Sequence, residues 1–354
     1  MIKVLIVGAG PAGLTTAVEL ARRGIVSDVI DLRESGSGLS RAVGILPASL
    51  EILKPSGVTG KLLAEGMKFR QVRFYRHSSL VLALPLKSSA ADDEFILGLA
   101  QDRTEKLLRD VLSELGGTVR YRTELVDLRQ DAEKVTVDLR DGTKAEYDYV
   151  VGADGARGTT RELLNIDFRG HDLPETWSIA DVDAEGWPNT NAVTICQLGG
   201  GDMVVVAPLE PNRFRVVSNT EDALAALPLN LNVTNIRREG EFKISIRQAA
   251  QYGVGRVFLV GDAAHCHSPV GGRGMNLGIA DGAELARRMV EGGLEGYGEA
   301  RHKVGKEVIA FSEALRKAMT SRKPVTRFLV LAVLKTASFT PTLQRQIVKK
   351  LLYG

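Results

Sequence analysis

The chain has 354 residues, 44% hydrophobic and 25% charged, which is enough to bury more than one core and to suggest about two domains. Its net charge of +3 is close to the globular average and argues against a nucleic-acid-binding protein. Two cysteines, Cys196 and Cys266, stand far apart without paired spacing, so neither a disulfide framework nor a zinc site is expected, and a reducing cytoplasm fits best.

The N-terminus runs from Met1 through Lys3 straight into a β-type stretch, with no apolar leader and no small-residue cleavage site, so no signal peptide is expected. That stretch, Lys3 to Val7, leads into Gly8-Ala9-Gly10-Pro11-Ala12-Gly13, and Leu14 to Arg23 then reads as a helix ending at Gly24. Strand, GxGxxG and helix in this order are what a dinucleotide pyrophosphate requires. Gly8 allows the tight turn, Gly10 lets backbone approach the phosphates, and Gly13 lets helix and strand pack closely. The helix start adds free N–H groups and the positive end of its dipole. A second strand, Asp28 to Asp31, follows at the spacing where an acid accepts bonds from an adenosine ribose. Asp31 is chosen for this role on its strand-end position, with Glu34 as the alternative, and Leu32 and Arg33 are placed beside it in the cofactor site. An acid here suits the free 2′-hydroxyl of FAD or NAD.

Short β-rich runs follow at Gln71 to Tyr75, Ser178 to Val182, Ala192 to Leu198, Met203 to Pro208 and Arg213 to Val217. They read as one antiparallel sheet capping the cofactor, with Leu227 to Asn235 as a connecting loop. Trp177 and Trp187 suit either a pocket wall or core, core being the commoner fate of an aromatic in such a sheet. Two further strand–loop units interrupt or follow this region. The first is Tyr147 to Gly152 with Asp154, Gly155 and a helix near Arg161. The second is Arg256 to Gly261 with Asp262, continuing through Pro269, Gly272, Gly274, Met275 and Asn276 into a helix near Leu277. The three units are expected to converge on one sheet edge. Asp262 can hold ribityl hydroxyls, and the Gly272 to Asn276 helix start can stabilise charge at the flavin N1–C2=O region. The run His265-Cys266-His267 has ligand types at adjacent positions without a second cluster, so polar packing beneath a flavin is expected rather than a metal.

These residues resemble the group A flavoprotein monooxygenases, the para-hydroxybenzoate hydroxylase-like family of aromatic, polyketide and antibiotic hydroxylases. The resemblance covers roughly residues 1–320 through five ordered segments: GxGxxG at Gly8, Arg41-Ala42 with Pro47, Gln101-x-x-Thr104-Glu105, Asp154-Gly155, and Gly261-Asp262 with its Pro/Gly-rich continuation. It implies that Arg41 and Gln101 touch FAD, that Asp154 and Arg161 belong to a motif serving FAD and NADPH, and that Asp262 binds the ribityl chain. Arg273 departs from the glutamine that relatives often carry, and the thioredoxin-like extension of many relatives is replaced by a basic tail.

The implied fold is α/β, a Rossmann-like FAD-binding domain (1–68, 99–166 and 255–300) interleaved with an antiparallel-sheet substrate domain (69–98 and 167–254) and a helical segment (301–354). The implied activity uses bound FAD, NADPH or NADH as transient co-substrate, and O2. A flavin C4a-hydroperoxide would hydroxylate an aromatic or phenolic small molecule, of polyketide or antibiotic type among others. No catalytic residue and no base for the phenol proton can be named. A halogenase would carry a Trp-x-Trp-x-Ile-Pro run that neither tryptophan belongs to. A Baeyer–Villiger or epoxidising enzyme and a non-catalytic flavin-binding protein stay open. Residues 301–354 carry 12 Lys/Arg against 2 Asp/Glu. A helix pair packed on the body with a solvated basic face is favoured for this tail, while an apolar stripe of Phe328, Leu331 and Leu334 would also suit weak contact with an anionic membrane surface.

Overall fold

Val4–Val7 has no polar residue because its two faces meet two different cores. Val4 and Ile6 face a helical layer, while Leu5 and Val7 face a small antiparallel sheet. The computed structural model describes residues 2–36, 42–87 and 94–353. Val4–Val7 is central in a six-stranded sheet, pairing in parallel with Asp28–Ile30 on one side and Tyr149–Gly152 on the other. Val257–Leu259 continues the parallel set beside Tyr149–Gly152. The strands that carry the three glycine loops are therefore immediate neighbours, and their loops leave the same, C-terminal, edge.

The helices Pro11–Ala21, Gln101–Glu114 and Gly274–Glu291 form the layer on one face. Glycine sets the spacing of the first and last of these. A Cβ on Gly282 would stand 2.7 Å from the Ala12 carbonyl, and one on Gly278 3.1 Å from the Ala12 Cβ. The other face is covered by the strands Leu125–Gln130, Val135–Leu139 and Lys144–Tyr147.

The five expected β runs fall within one eight-stranded sheet, dominated by two 18-residue strands, Phe168–Glu185 and Asn232–Ala249, paired antiparallel; the sheet is mixed and not wholly antiparallel as expected, since Gln71–Arg76 pairs in parallel with Ala192–Gln197. The expected loop over Leu227 to Asn235 ends earlier, since the second long strand begins at Asn232. Its first half is exposed on both faces and so carries no apolar alternation by which to recognise it. One face of the sheet is closed by the Leu224 to Leu231 segment; Trp187 lies in that core, 6.2 Å from Phe214 in an edge-on contact. Trp177 is also core, on the opposite face with Phe242 and Met319.

The tail forms the helices Tyr297–Met319, Pro324–Phe339 and Pro341–Tyr353, the last two each starting on a proline whose missing N–H costs nothing there. The expected stripe of Phe328, Leu331 and Leu334 does not exist as one face. Six residues advance a helix by about 600°, so Phe328 and Leu334 point apart; Leu334 is buried against the sheet and Phe328 is 70% exposed. Among the described residues no helix is long and apolar enough to cross a membrane.

Candidate functional site

The first loop separates three glycines by their reasons for being there. Gly8 has φ +107°, and a Cβ on it would collide with the Ala153 backbone. A Cβ on Gly13 would collide with the Gly8 carbonyl. Gly10 has ordinary extended backbone, φ −78° and ψ −179°, and a Cβ there would meet no protein atom within 4 Å. Neither conformation nor packing within the protein requires glycine at position 10, and the space beside it is open. The N–H groups of Ala12 and Gly13, in the first turn after Pro11, have no intrahelical acceptor.

Asp31 stands at the end of the neighbouring strand with both oxygens engaged by protein. Oδ2 accepts from the Ala9 N–H (2.7 Å) and from Arg33 Nη2 (2.8 Å); Oδ1 accepts from the Arg33 N–H (2.8 Å) and Nε (3.0 Å). Burial pushes this carboxyl up, but the Arg33 and Ala9 hydrogen bonds outweigh it and hold it below the usual carboxylate range. A ribose hydroxyl here would share the carboxylate with Arg33. Leu32 is exposed, and Glu34, the alternative acid, is exposed and paired with Arg122. Gln101 donates to Glu105 (2.9 Å) and accepts from the Ala42 N–H (3.4 Å), so it ties the loop after position 41 to the neighbouring helix. Arg41 lies outside the described residues.

In the second loop Asp154 Oδ2 accepts from the Thr160 N–H and hydroxyl, each at 2.8 Å, while Oδ1 is buried without a partner among the described residues. Burial raises its pKa above the usual range despite those bonds. Gly155 provides the left-handed turn, at φ +82°, and leaves open space beside it. Arg161 is buried, donates to the carbonyls of Ala263 (3.0 Å) and Ala156 (2.9 Å), and lies 3.9 Å over the Phe168 ring. It therefore braces the second loop against the third.

In the third loop Gly261 turns at φ +60° and Asp262 projects to solvent, with no protein partner among the described residues. Pro269 and Gly272 are exposed, and the helix that follows begins at Gly274, with Met275 and Asn276 buried in its first turn. Asn276 is fully used by protein. Its Oδ1 accepts from the Leu46 N–H (2.8 Å), and its Nδ2 donates to the carbonyls of Gly44 (2.9 Å) and Gly272 (2.8 Å). It fixes the helix start against the short strand Gly44–Ile45 and Leu46 just after it, an anchoring role that its motif position alone did not disclose. Arg273 donates to the carbonyls of Lys350 (2.6 Å) and Leu351 (3.1 Å), which caps the last helix, and lies over Phe311.

Beneath this loop His265, expected as a polar packing group, joins a buried network with Asp281 and Arg301, for which the sequence reading carried no such expectation. The Asp281 carboxylate receives the Gly261 N–H (3.1 Å), His265 Nε2 (2.6 Å) and Arg301 Nε (2.6 Å). A signal for it was present, because Asp281 falls at helical spacing between Leu277 and Leu285, both buried, where an unpaired acid would be costly. His267 is bonded through Nδ1 to the Ser268 carbonyl, and burial lowers its pKa, so it is neutral at pH 7. A second ionic group, Asp181 with Arg215 (two contacts of 2.7 Å), occupies the eight-stranded sheet, and Arg215 reaches the Ala42 carbonyl at 3.3 Å. Only the strand register, which sets Asp181 between Arg215 and Arg238, brings this group together.

Three loops at the ends of adjacent parallel strands, each followed by a helix (Pro11–Ala21, Thr159–Leu163 and Gly274–Glu291), are the scaffold of a protein that holds an extended dinucleotide. The unfilled space at Gly10 and the unpartnered Asp262 carboxylate fit such a group. The chain belongs to the FAD binding domain family, whose model matches residues 1–312. It is 33% identical over 347 residues to a rifampicin monooxygenase from Streptomyces venezuelae, covering 91% of this chain and 72% of that protein. It is 30% identical to pentachlorophenol 4-monooxygenase from Sphingobium chlorophenolicum, covering 92% and 67%. The p-nitrophenol 4-monooxygenase structure from Pseudomonas putida shares the fold at a TM-score of 0.90 and 23% identity, over 100% of this chain and 99% of that one. These relationships make the chain an FAD-dependent monooxygenase, an oxidoreductase.

Proposed function

We propose that this chain uses FAD and NADPH or NADH to hydroxylate an aromatic or phenolic small molecule with O2. The observation that carries the reading is the space left by Gly10 in a chain whose relatives are named for oxygenating aromatic compounds. Bound FAD supplies the electron acceptance and the activation of O2. The chain's own residues hold and enclose it. The N–H groups of Ala12 and Gly13 receive the pyrophosphate, Asp262 the ribityl hydroxyls, and the helix start at Gly274 favours negative charge on the ring system. Gly8, Asp31 and Arg33 shape the adenosine side, while Gln101, Asp154, Gly155 and Asn276 brace the loops around it. Val270, beside Pro269, packs in one apolar cluster with Phe74, Ile195, Val205 and Val217 of the large sheet. This apolar cluster would exclude water from an aromatic ring held against it.

The test is NADPH oxidation under 18O2 with a panel of phenols, polyketides and antibiotics, followed by product mass spectrometry. A stimulated rate with one 18O atom in the product is expected. Stimulated oxidation yielding only H2O2 would count against a hydroxylase, and no stimulation by any panel member would favour a non-catalytic flavin protein.

Asp262→Ala is expected to fold as the parent does, because the side chain is exposed and unpartnered, yet to purify largely colourless. A hydrogen bond to a charged group contributes about 1.5–3 kcal/mol, so FAD should bind about 10- to 100-fold more weakly. Unchanged flavin occupancy, read from absorbance at 450 nm, would remove Asp262 from the site.

A further inference from the structure

The helix Pro324–Phe339 is apolar on the side that faces away from the protein. Leu334 and Ala337 are buried against the large sheet, while Val325, Phe328, Leu329, Val333 and Phe339 are 70, 70, 56, 51 and 80% exposed. On a helical projection these five residues fall within a single arc, together with Ala332 and Thr336 and with Lys335 at its edge. An amphipathic helix of a water-facing tail would reverse this arrangement. From Ala314 to Tyr353 the chain carries nine Lys/Arg and no Asp/Glu. Arg322, Lys323, Lys335, Arg345 and Lys349 are exposed and form no ion pair among the described residues.

We propose that this face docks the protein on an anionic lipid bilayer, with the helix lying in the interface and Phe328, Leu329, Val333 and Phe339 inserted among the acyl chains. Charge complementarity selects this occupant. An apolar stripe with Lys335 at its edge and Arg322 and Lys323 just before it, all three without an ion pair among the described residues, matches a surface that is apolar within and negative at its headgroups. A helix of 16 residues rises about 24 Å, shorter than a bilayer core of about 30 Å, so it lies on the membrane and does not cross it. The glycine loops and the Asp281 network do not include this helix.

The test is co-sedimentation of the flavin-loaded full chain with phosphatidylcholine vesicles and with vesicles of equal parts phosphatidylcholine and phosphatidylglycerol. Partitioning at least tenfold stronger onto the anionic vesicles in 0.1 M salt is expected, weakening as salt rises. Replacing Phe328, Leu329 and Val333 together by serine should reduce that partitioning at least tenfold, with flavin content and melting temperature unchanged because all three side chains are exposed. Phe328→Trp should show a blue-shifted emission on the anionic vesicles that lipids brominated on their acyl chains quench. Equal, weak partitioning onto both vesicle types would overturn the proposal, as would a tryptophan that the brominated lipids do not quench. A doubled mass in light scattering that the serine variant returns to a single chain would assign the face to a second copy and overturn it as well.

Discussion

Gly10→Val should yield a folded protein without flavin. Valine is compatible with the extended backbone at this position, and its Cβ meets no protein atom within 4 Å. The stability of the flavin-free protein should therefore change by little more than the entropic preference against glycine. The branched side chain fills the space between the loop and the first helical N–H groups, and a pyrophosphate cannot then approach them. We expect FAD affinity to fall by 100-fold or more, equivalent to about 2.7 kcal/mol. Gly13→Val supplies the contrast, since its Cβ would strike the Gly8 carbonyl, and it should fail through misfolding before cofactor binding is at issue. Calorimetry of both flavin-free variants with titration of FAD separates the two outcomes. A Gly10→Val protein that purifies yellow would show that the open space is not the phosphate site.

The contrast also shows where the sequence was informative. Glycines 8, 10 and 13 were legible together because the motif is local, and strand, turn and helix follow one another within a few residues. Their separate roles were not, since Gly8 and Gly13 answer to Ala153 and to each other, and Ala153 arrives from a distant part of the chain. Asp31 was legible as an acid at a strand end, but not as one whose acceptor sites are already taken by Ala9 and Arg33. Asn276 reads as part of a loop aimed at a cofactor, and its amide is spent on Leu46, Gly44 and Gly272. The spacing of Phe328, Leu331 and Leu334 suggests one face, but steps of three residues drift about 60° each around a helix, which carries the row from the exposed face to the buried one. Arg215 and Asp181 carried no readable signal. Charged residues on alternate strand positions ordinarily face water, and only the pairing of two strands buries them together.

Replacing Asp281 should have the largest effect on stability. Its carboxylate is fully buried and is the shared acceptor for His265, Arg301 and the Gly261 N–H. Asp281→Ala leaves a buried guanidinium without its counter-charge, a change that costs about 3–5 kcal/mol. Against a total stability of roughly 5–15 kcal/mol, the variant should express poorly or melt on the order of 10 °C lower. Asp281→Asn retains the shape and one acceptor, so it should fold, and it isolates the role of the charge. Because the Gly261 N–H then loses a charged acceptor, the loop that presents Asp262 should relax, and FAD should bind more weakly in a protein that is otherwise native.

The pH dependence follows from the sign of the shift. Burial raises the Asp281 pKa, but the charge of His265, its hydrogen bond and Arg301 together bring it below the ordinary value of 3.8. A carboxylate with a depressed folded-state pKa contributes stability that is complete above its unfolded value and is lost as pH falls through the folded one. The wild-type advantage over Asp281→Asn should therefore be level from pH 7 to pH 5 and shrink only below about pH 4. Urea midpoints of the two proteins across this range test it. An advantage that disappears between pH 7 and 5 would mean that another group, and not this carboxylate, sets the strength of the network.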